Sequence, residues 1–164
     1  MISEPEIKEL ETKKLVGICI ATSLADDKTS LLWNRFMKMK GSIENITGED
    51  LYSVQVYGKK FMTGEFNTQS EFSKWAATEV SEHSKIPKGL ENLEIPKGKY
   101  AVFTHKGTAK EFSETANFIF NQWIPESEFE LDDRPHFEIL GKNYKGPENP
   151  DSQEDIWIPI KEKN

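Results

Sequence analysis

The sequence predicts an α+β domain: duplicated strand–helix–strand–strand units form one antiparallel sheet, with two helices on one face and a ligand groove between the halves. Three observations predict it. Glu154–Ile160 alternates with period two, placing Ile156, Ile158 and Ile160 on one face and Asp155, Trp157 and Pro159 on the other. Two amphipathic segments carry apolar residues at helical spacing, Leu32, Trp33, Phe36 and Met37 in the first and Phe112, Ala116, Ile119, Phe120 and Trp123 in the second. The pattern also repeats at an offset of roughly 85 residues, matching Leu15 to Tyr100, Ile18 to Phe103, Tyr52 to Phe137 and Val54 to Ile139. We expect one domain over residues 1–164, with internal repeats at roughly 13–82 and 95–161.

The elements follow in order. Lys14–Ala21 is short and rich in β-branched residues, so it reads as a well-buried strand. Thr29–Ser30 supplies a helix cap, and the helix ends near Lys40–Gly41, where glycine suits the C-terminus. Leu51–Gly58 alternates as a strand, and Phe72–Val80 takes the place of the next strand in the repeat. Ser84–Leu90, with Pro87 and Gly89, opens a connector that runs to Pro96. Gly98–His105 is a strand, and Thr108 caps the second helix, which should stop at Ile124–Pro125 because proline disfavours helix in the residue before it. Pro135–Gly141 and Asp155–Ile160 complete the second unit, joined by the polar loop 141–153 with Gly146–Pro147 and Asn149–Pro150.

Composition narrows the function. The 164 residues include 10 Phe, 4 Trp and 4 Tyr, enough large apolar area for a folded core. The net charge of −7 disfavours a direct nucleic-acid partner, since phosphate binding needs a basic face, and is compatible with a cationic ligand. No apolar run approaches a membrane span and Met1–Glu6 lacks a signal-peptide pattern, so a cytoplasmic protein with no membrane partner is expected. Cys19 is the single cysteine and reads as a small core residue. The histidines His83, His105 and His136 show no metal-ligand spacing and read as solvated. Phosphate-binding glycine loops, G-x-S-x-G and H-E-x-x-H are absent, and no cofactor or metal is expected. The acidic run 126–133 reads as a solvated loop.

The alternation also sorts the candidate ligand-binding residues. Trp75 and Glu79 share one face of their strand, Asp155 and Trp157 share one face of theirs, and Glu138 lies with His136 and Leu140. Should the acid-bearing faces form a single cleft, carboxylates and indoles converge there. That chemistry suits a lipophilic cation: indoles attract cations, a carboxylate in low dielectric neutralises them, and apolar walls supply most of the affinity. The plainer reading of each acid is a solvated sheet face, and of Trp123 a helix residue packed on the sheet.

Four segments together resemble the GyrI-like small-molecule-binding family, which includes the effector-binding domains of AraC-type and MerR-type regulators. They are Ile95–Phe103, Asn121–Ser127, Glu130–Glu138 and Ser152–Ile160, and the likeness extends more loosely back to Leu15. The resemblance implies a duplicated fold with pseudo-two-fold symmetry and a groove between the halves, lined by aromatics and acids, with lipophilic cations among the ligands. It carries Glu138 and Asp155 over as acids and Trp123 and Trp157 as aromatics, and Trp75 and Glu79 from the looser first half. Some relatives have Glu where this chain has Asp155, one methylene shorter. With no helix-turn-helix motif read in the chain, the expectation is a stand-alone domain that sequesters or senses a compound.

Two alternatives accompany that expectation. The first is a hydrolase of electrophilic natural products with a pocket carboxylate as general base; turnover surviving both Glu138→Gln and Asp155→Asn would remove this assignment. The second is a protein-interaction module, such as a partner of a regulator or of gyrase, with 126–133 as contact surface; failure to recover any partner would count against it. A non-enzymatic binder is the preferred expectation.

Overall fold

Alternating side chains build nine strands and three helices among the residues described by the computed structural model, 4–83 and 86–164. The strands are β1 (Glu6–Leu10), β2 (Lys13–Thr22), β3 (Ile46–Val56), β4 (Phe72–Val80), β5 (Glu91–Ile95), β6 (Gly98–Lys106), β7 (Phe129–Leu131), β8 (His136–Leu140) and β9 (Gln153–Glu162). The helices are α1 (Thr29–Met39), α2 (Lys59–Thr63) and α3 (Phe112–Phe118). All strand pairings are antiparallel, in the order β1-β6-β9-β8-β3-β4-β2-β5, with β7 added on β9.

That order reads the same from both ends once the halves are matched, β6 with β2, β9 with β4 and β8 with β3. The offset seen in the sequence also carries β1 onto β5, and each of these short strands pairs with the other half: β1 with β6, β5 with β2. At the centre, β3 meets β8 with Ser53 opposite Glu138, which puts this pair on the pseudo-two-fold axis.

Both long helices lie on one face. The apolar stripe of α1, Leu32 and Phe36, packs on Val16 and Ile18 of β2 and Ala76 of β4. In the second half, Ile119 and Ile124 pack on Phe103 of β6 and on Ile156, Ile158 and Ile160 of β9. Fully burying each such side chain contributes roughly 1.5–3 kcal/mol. The central pair β3/β8 carries neither long helix on this face.

The opposite face is not open. Leu10 and Ile95, from the two edge strands, join one buried cluster with Tyr52, Phe137, Tyr100, Trp75 and Trp157. The Lys97 amide donates to Thr12 Oγ1 at 3.3 Å, tying together the connectors at the two edges. The sheet therefore curls until its edges meet, and its concave side is filled with aromatic core. The groove between the halves lies on the convex, helix-bearing side.

Several local expectations change. The connector to Pro96 contains strand β5; Ser84 and Lys85 lie outside the described residues. The acidic run is not simply a solvated loop, because Phe129–Leu131 pairs with β9 and Asp132 holds Arg134 at 2.9 Å. Thr29 opens α1 while Lys28 is its N-cap, and the Thr29 amide and hydroxyl both donate to Asp27 Oδ1. Thr108 forms a capping box with Glu111, each backbone amide donating to the other's side chain. The helix runs past Pro125: α3 widens into a π turn over Ile119–Trp123 and continues to Glu126. Proline is tolerated there because it opens the short closing turn, where its missing N–H is not needed.

His105 and His136 are buried rather than solvated. His105 bridges the Thr115 hydroxyl and the Thr108 carbonyl, fastening the start of α3 to β6. Cys19 is half-buried against the concave core.

Candidate functional site

Glu138 decides where to look. Its cross-strand partners are Ser53 on β3 and Ile156 on β9, so its side chain lies on the helix side, at the pseudo-axis and between the two long helices. It is 9% exposed. Gln55 Nε2 donates to its Oε1 at 3.2 Å and to Ser53 Oγ at 3.0 Å. No cationic group lies within ion-pairing distance of it among the described residues. Burial raises its pKa from an ordinary 4.5 to about 8; the Lys74 ammonium opposes the rise and the Glu154 carboxylate adds to it. Lys74 and Glu154 sit at matching positions of the two halves, one on β4 and one on β9, flanking the central acid. Glu154 is itself raised by burial to about 7, against the pull of Lys74.

Rings close over this polar centre. Tyr57, at the end of β3, stacks on Phe61 of α2 with centroids 4.3 Å apart. Phe61 meets Phe66, Phe120 and His136 edge-on, at 5.2–5.3 Å. Phe72 completes the set against Tyr57 at 4.9 Å. Burial and the charge of Glu138 push the Tyr57 phenol well above its usual range, and the ring stands edge-on to His136, two residues before Glu138 on β8, at 4.9 Å.

The local sequence explains the arrangement. Gly58 (φ 81°) turns the chain out of β3, and Gly64 (φ 80°) closes α2 with a left-handed cap, a conformation that costs glycine least. α2 is thereby folded back as a single turn over the groove. The π turn after α3 brings Phe120 to the cluster from the other half, a distortion frequent at functional sites. The space left at the edge of the cluster, beside Tyr57, Phe61 and His136, is about 10 Å³, so the cage is closed around its own rings.

The six residues selected from the sequence do not share one site. Trp75 and Trp157 are buried in the concave core, Trp157 stacked on Phe137 at 5.4 Å and 14°. Glu79, on the same side, pairs with Lys13 at 3.3 Å and accepts from the Tyr52 hydroxyl at 3.2 Å. Asp155 is exposed on that side, at the end of the sheet, within 3.5 Å of the Thr104 hydroxyl. Trp123 lies on the helix side but packs on Phe103 and donates to Glu4. Glu138 alone of the six occupies the cage.

The reading of the sequence missed Tyr57, Phe61, Phe66 and Phe72 as a set, as well as the roles of Gln55, Lys74, Phe120, His136 and Glu154. One signal was available: four aromatic residues between Tyr57 and Phe72, in a stretch also holding Gly58 and Gly64. Surface connections rarely carry so many rings unless these are buried against something.

A larger cavity of about 760 Å³ opens where β8 ends, between the Gly48–Asp50 bulge of β3 and the start of β9. Glu49, Asp50, Glu154 and Asp155 line it, with Lys142 and a single large apolar side chain, Ile139. It lacks the aromatic walls that retain an apolar ligand, so the cage over Glu138 is the candidate site despite its smaller opening. Among the described residues no group of three His, Cys, Asp or Glu could hold a metal ion, and no helix is long and apolar enough to cross a membrane.

Comparison with known proteins agrees with this architecture. The transcriptional regulator BrlR of Pseudomonas aeruginosa is 33% identical over 156 residues, which cover 94% of this chain and 54% of BrlR. The chain thus spans about half the length of that relative. The EcmrR C-terminal domain superimposes with a TM-score of 0.75 at 11% identity, covering 99% of both chains. SAV2435 bound to tetraphenylphosphonium gives a TM-score of 0.72 at 16% identity, covering 97% of this chain and 94% of that one. At these identities the two structures speak for the fold alone. The profile of the GyrI-like small molecule binding domain matches residues 3–161, and with a duplicated sheet, paired helices and a groove on the pseudo-axis, the chain belongs to that family.

Proposed function

We propose that this domain binds lipophilic cations in the aromatic cage over Glu138, and that binding serves recognition of the compound, not its chemical conversion. The observation that carries the reading is the buried carboxyl of Glu138, without an ion-pair partner among the described residues, two residues along β8 from His136 and the cluster of rings packed on it. A buried acid without a counter-charge is costly to a fold. It becomes favourable when a cation arrives with apolar surface of its own, because ion pairing, cation–π attraction and burial then act together. SAV2435 has been seen with a lipophilic cation, and BrlR is a regulator; both fit a sensing role for the same fold.

The cage must open for such a ligand. α2 is one turn long and α2 with its flanks carries Phe61 and Phe66, so displacing this turn vacates the volume above Glu138 while the two main helices stay packed. The test is anisotropy of a cationic rhodamine dye against wild type, Glu138→Gln and Asp155→Asn. The proposal expects saturable binding that weakens at least tenfold in Glu138→Gln and persists in Asp155→Asn. Loss in Asp155→Asn alone would move the site to the acidic cavity at the end of β8.

A further inference from the structure

His136 is the heteroaromatic ring of the cage. It begins β8, is 4% exposed, and stands edge-on to Tyr57 at 4.9 Å and to Phe61 at 5.3 Å. Its Nδ1 is buried and has no hydrogen-bond partner among the described residues. A phenylalanine would fill a similar volume without burying an unpaired nitrogen, whose lost hydration nothing in the closed cage replaces. Cores avoid such groups, so this one calls for an explanation.

Its position suggests one. His136 and Glu138 are two residues apart on one strand, so their side chains project on the same side, roughly 7 Å apart at their bases. Gln55, opposite His136 across the β3–β8 pair, holds Oε1 of Glu138 and so fixes the carboxyl beside the imidazole. Desolvation and the nearby Arg134 guanidinium lower the His136 pKa to about 3, so the ring is neutral in ordinary buffers and keeps an acceptor nitrogen. Besides the Tyr57 hydroxyl, the wall of the cage therefore offers two polar handles on β8, one able to take a full charge and one able to accept a hydrogen bond. A donor-free cation uses only the first.

We propose that His136 is a specificity residue of the cage: its Nδ1 accepts a hydrogen bond from the ligand, so the site favours flat heteroaromatic cations that carry an additional N–H over donor-free cations of similar size. This inference rests on the cation-binding reading above. The ligand class it names is a planar aromatic amine, its charged ring nitrogen at Glu138 and a second amino group at His136, sandwiched by Tyr57, Phe61 and Phe120.

The experiment compares two dyes with the same ring and charge, proflavine with free amino groups and acridine orange with both amines dimethylated, alongside tetraphenylphosphonium. Each is titrated into wild type, His136→Phe and His136→Gln. Wild type should prefer proflavine to acridine orange by about tenfold, the worth of one recovered hydrogen bond. His136→Phe should collapse that ratio about tenfold, and His136→Gln, which keeps an acceptor, should restore part of it. Because the ratio is compared between proteins, the bulk of the methyl groups cancels. Saturable tetraphenylphosphonium binding reports an intact cage in each variant. A ratio that stays the same in His136→Phe, with tetraphenylphosphonium still bound, overturns the role of His136 and leaves the cation reading standing. No binding of any of the three cations to wild type overturns both.

Discussion

Replacing Glu138 by glutamine should stabilise the ligand-free domain, and more so as pH rises. Folding raises the pKa of this carboxyl from 4.5 to about 8, chiefly by burial. The folded state therefore favours the protonated form. The group's contribution is fully present below pH 4.5 and is lost as pH rises through 8. At about 1.4 kcal/mol per pH unit, the loss across that window is about 5 kcal/mol, or on the order of 10 °C in melting temperature for a domain of this size. Glutamine reproduces the neutral acid and its hydrogen bond from Gln55 without the ability to ionise. Other groups titrate in the same range. Glu154, raised to about 7, acts in the same direction. His136, lowered to about 3, acts oppositely: its contribution is present above pH 6.5 and is lost as pH falls through 3. These remain in both proteins, so the difference between them isolates Glu138. The assay is thermal unfolding of wild type and Glu138→Gln at half-unit steps from pH 4.5 to 8.5. The two should coincide at the acid end and diverge steadily above pH 5, glutamine the more stable. Parallel curves, or a wild type that gains on the variant as pH rises, would refute a buried neutral Glu138.

Cation binding should show the linked effect. Tetraphenylphosphonium affinity should rise about tenfold per pH unit from pH 5 to 7 and level off above 8, since the carboxyl must ionise to meet the cation; a flat profile in wild type would contradict this. Phe61→Ala should cost about 1–2 kcal/mol, less than a fully buried ring, and should speed cation association in stopped-flow mixing because it thins the closed cage. An unchanged association rate would mean that α2 does not gate the site. Gly64→Ala should likewise destabilise α2 by about 1 kcal/mol, its left-handed cap (φ 80°) being strained for alanine, and this should appear as faster amide exchange confined to 58–66.

Much of the fold was legible because the sheet is written in period two. Ile156, Ile158 and Ile160 point to the helix side as their alternation requires, and Leu32 and Phe36 form the buried stripe of α1. Strands β1, β5 and β7 were not legible. Glu6–Leu10 and Glu91–Ile95 are short and charged, as edge strands are, and gain strand structure only through the registers with β6 and β2. The one-turn helix α2 is too short to show a period.

The site was legible only one strand at a time. Alternation placed Glu138 opposite Phe137 and Asp155 beside Trp157, but not how the faces of adjacent strands join. Register decides that: Glu138 lies across from Ile156, so it shares the helix side with the isoleucines, while Ile139 lies across from Asp155 on the other side. A single-residue shift would have brought the two acids together. Nothing in the sequence reveals that the curl fills one side with Trp75 and Trp157 and leaves the groove on the other; that follows from edges that meet.

The most direct test of the central claim is calorimetric titration of tetraphenylphosphonium at pH 7 in two buffers of different ionisation enthalpy, for wild type and Glu138→Gln. With Glu138 protonated in the free protein and ionised against the cation, wild type should release close to one proton per ligand bound. Glu138→Gln should bind more weakly and release far less, Glu154 being the acid that remains nearby. Binding that is tight, releases no proton and is indifferent to Glu138→Gln would place the ligand elsewhere and contradict the account.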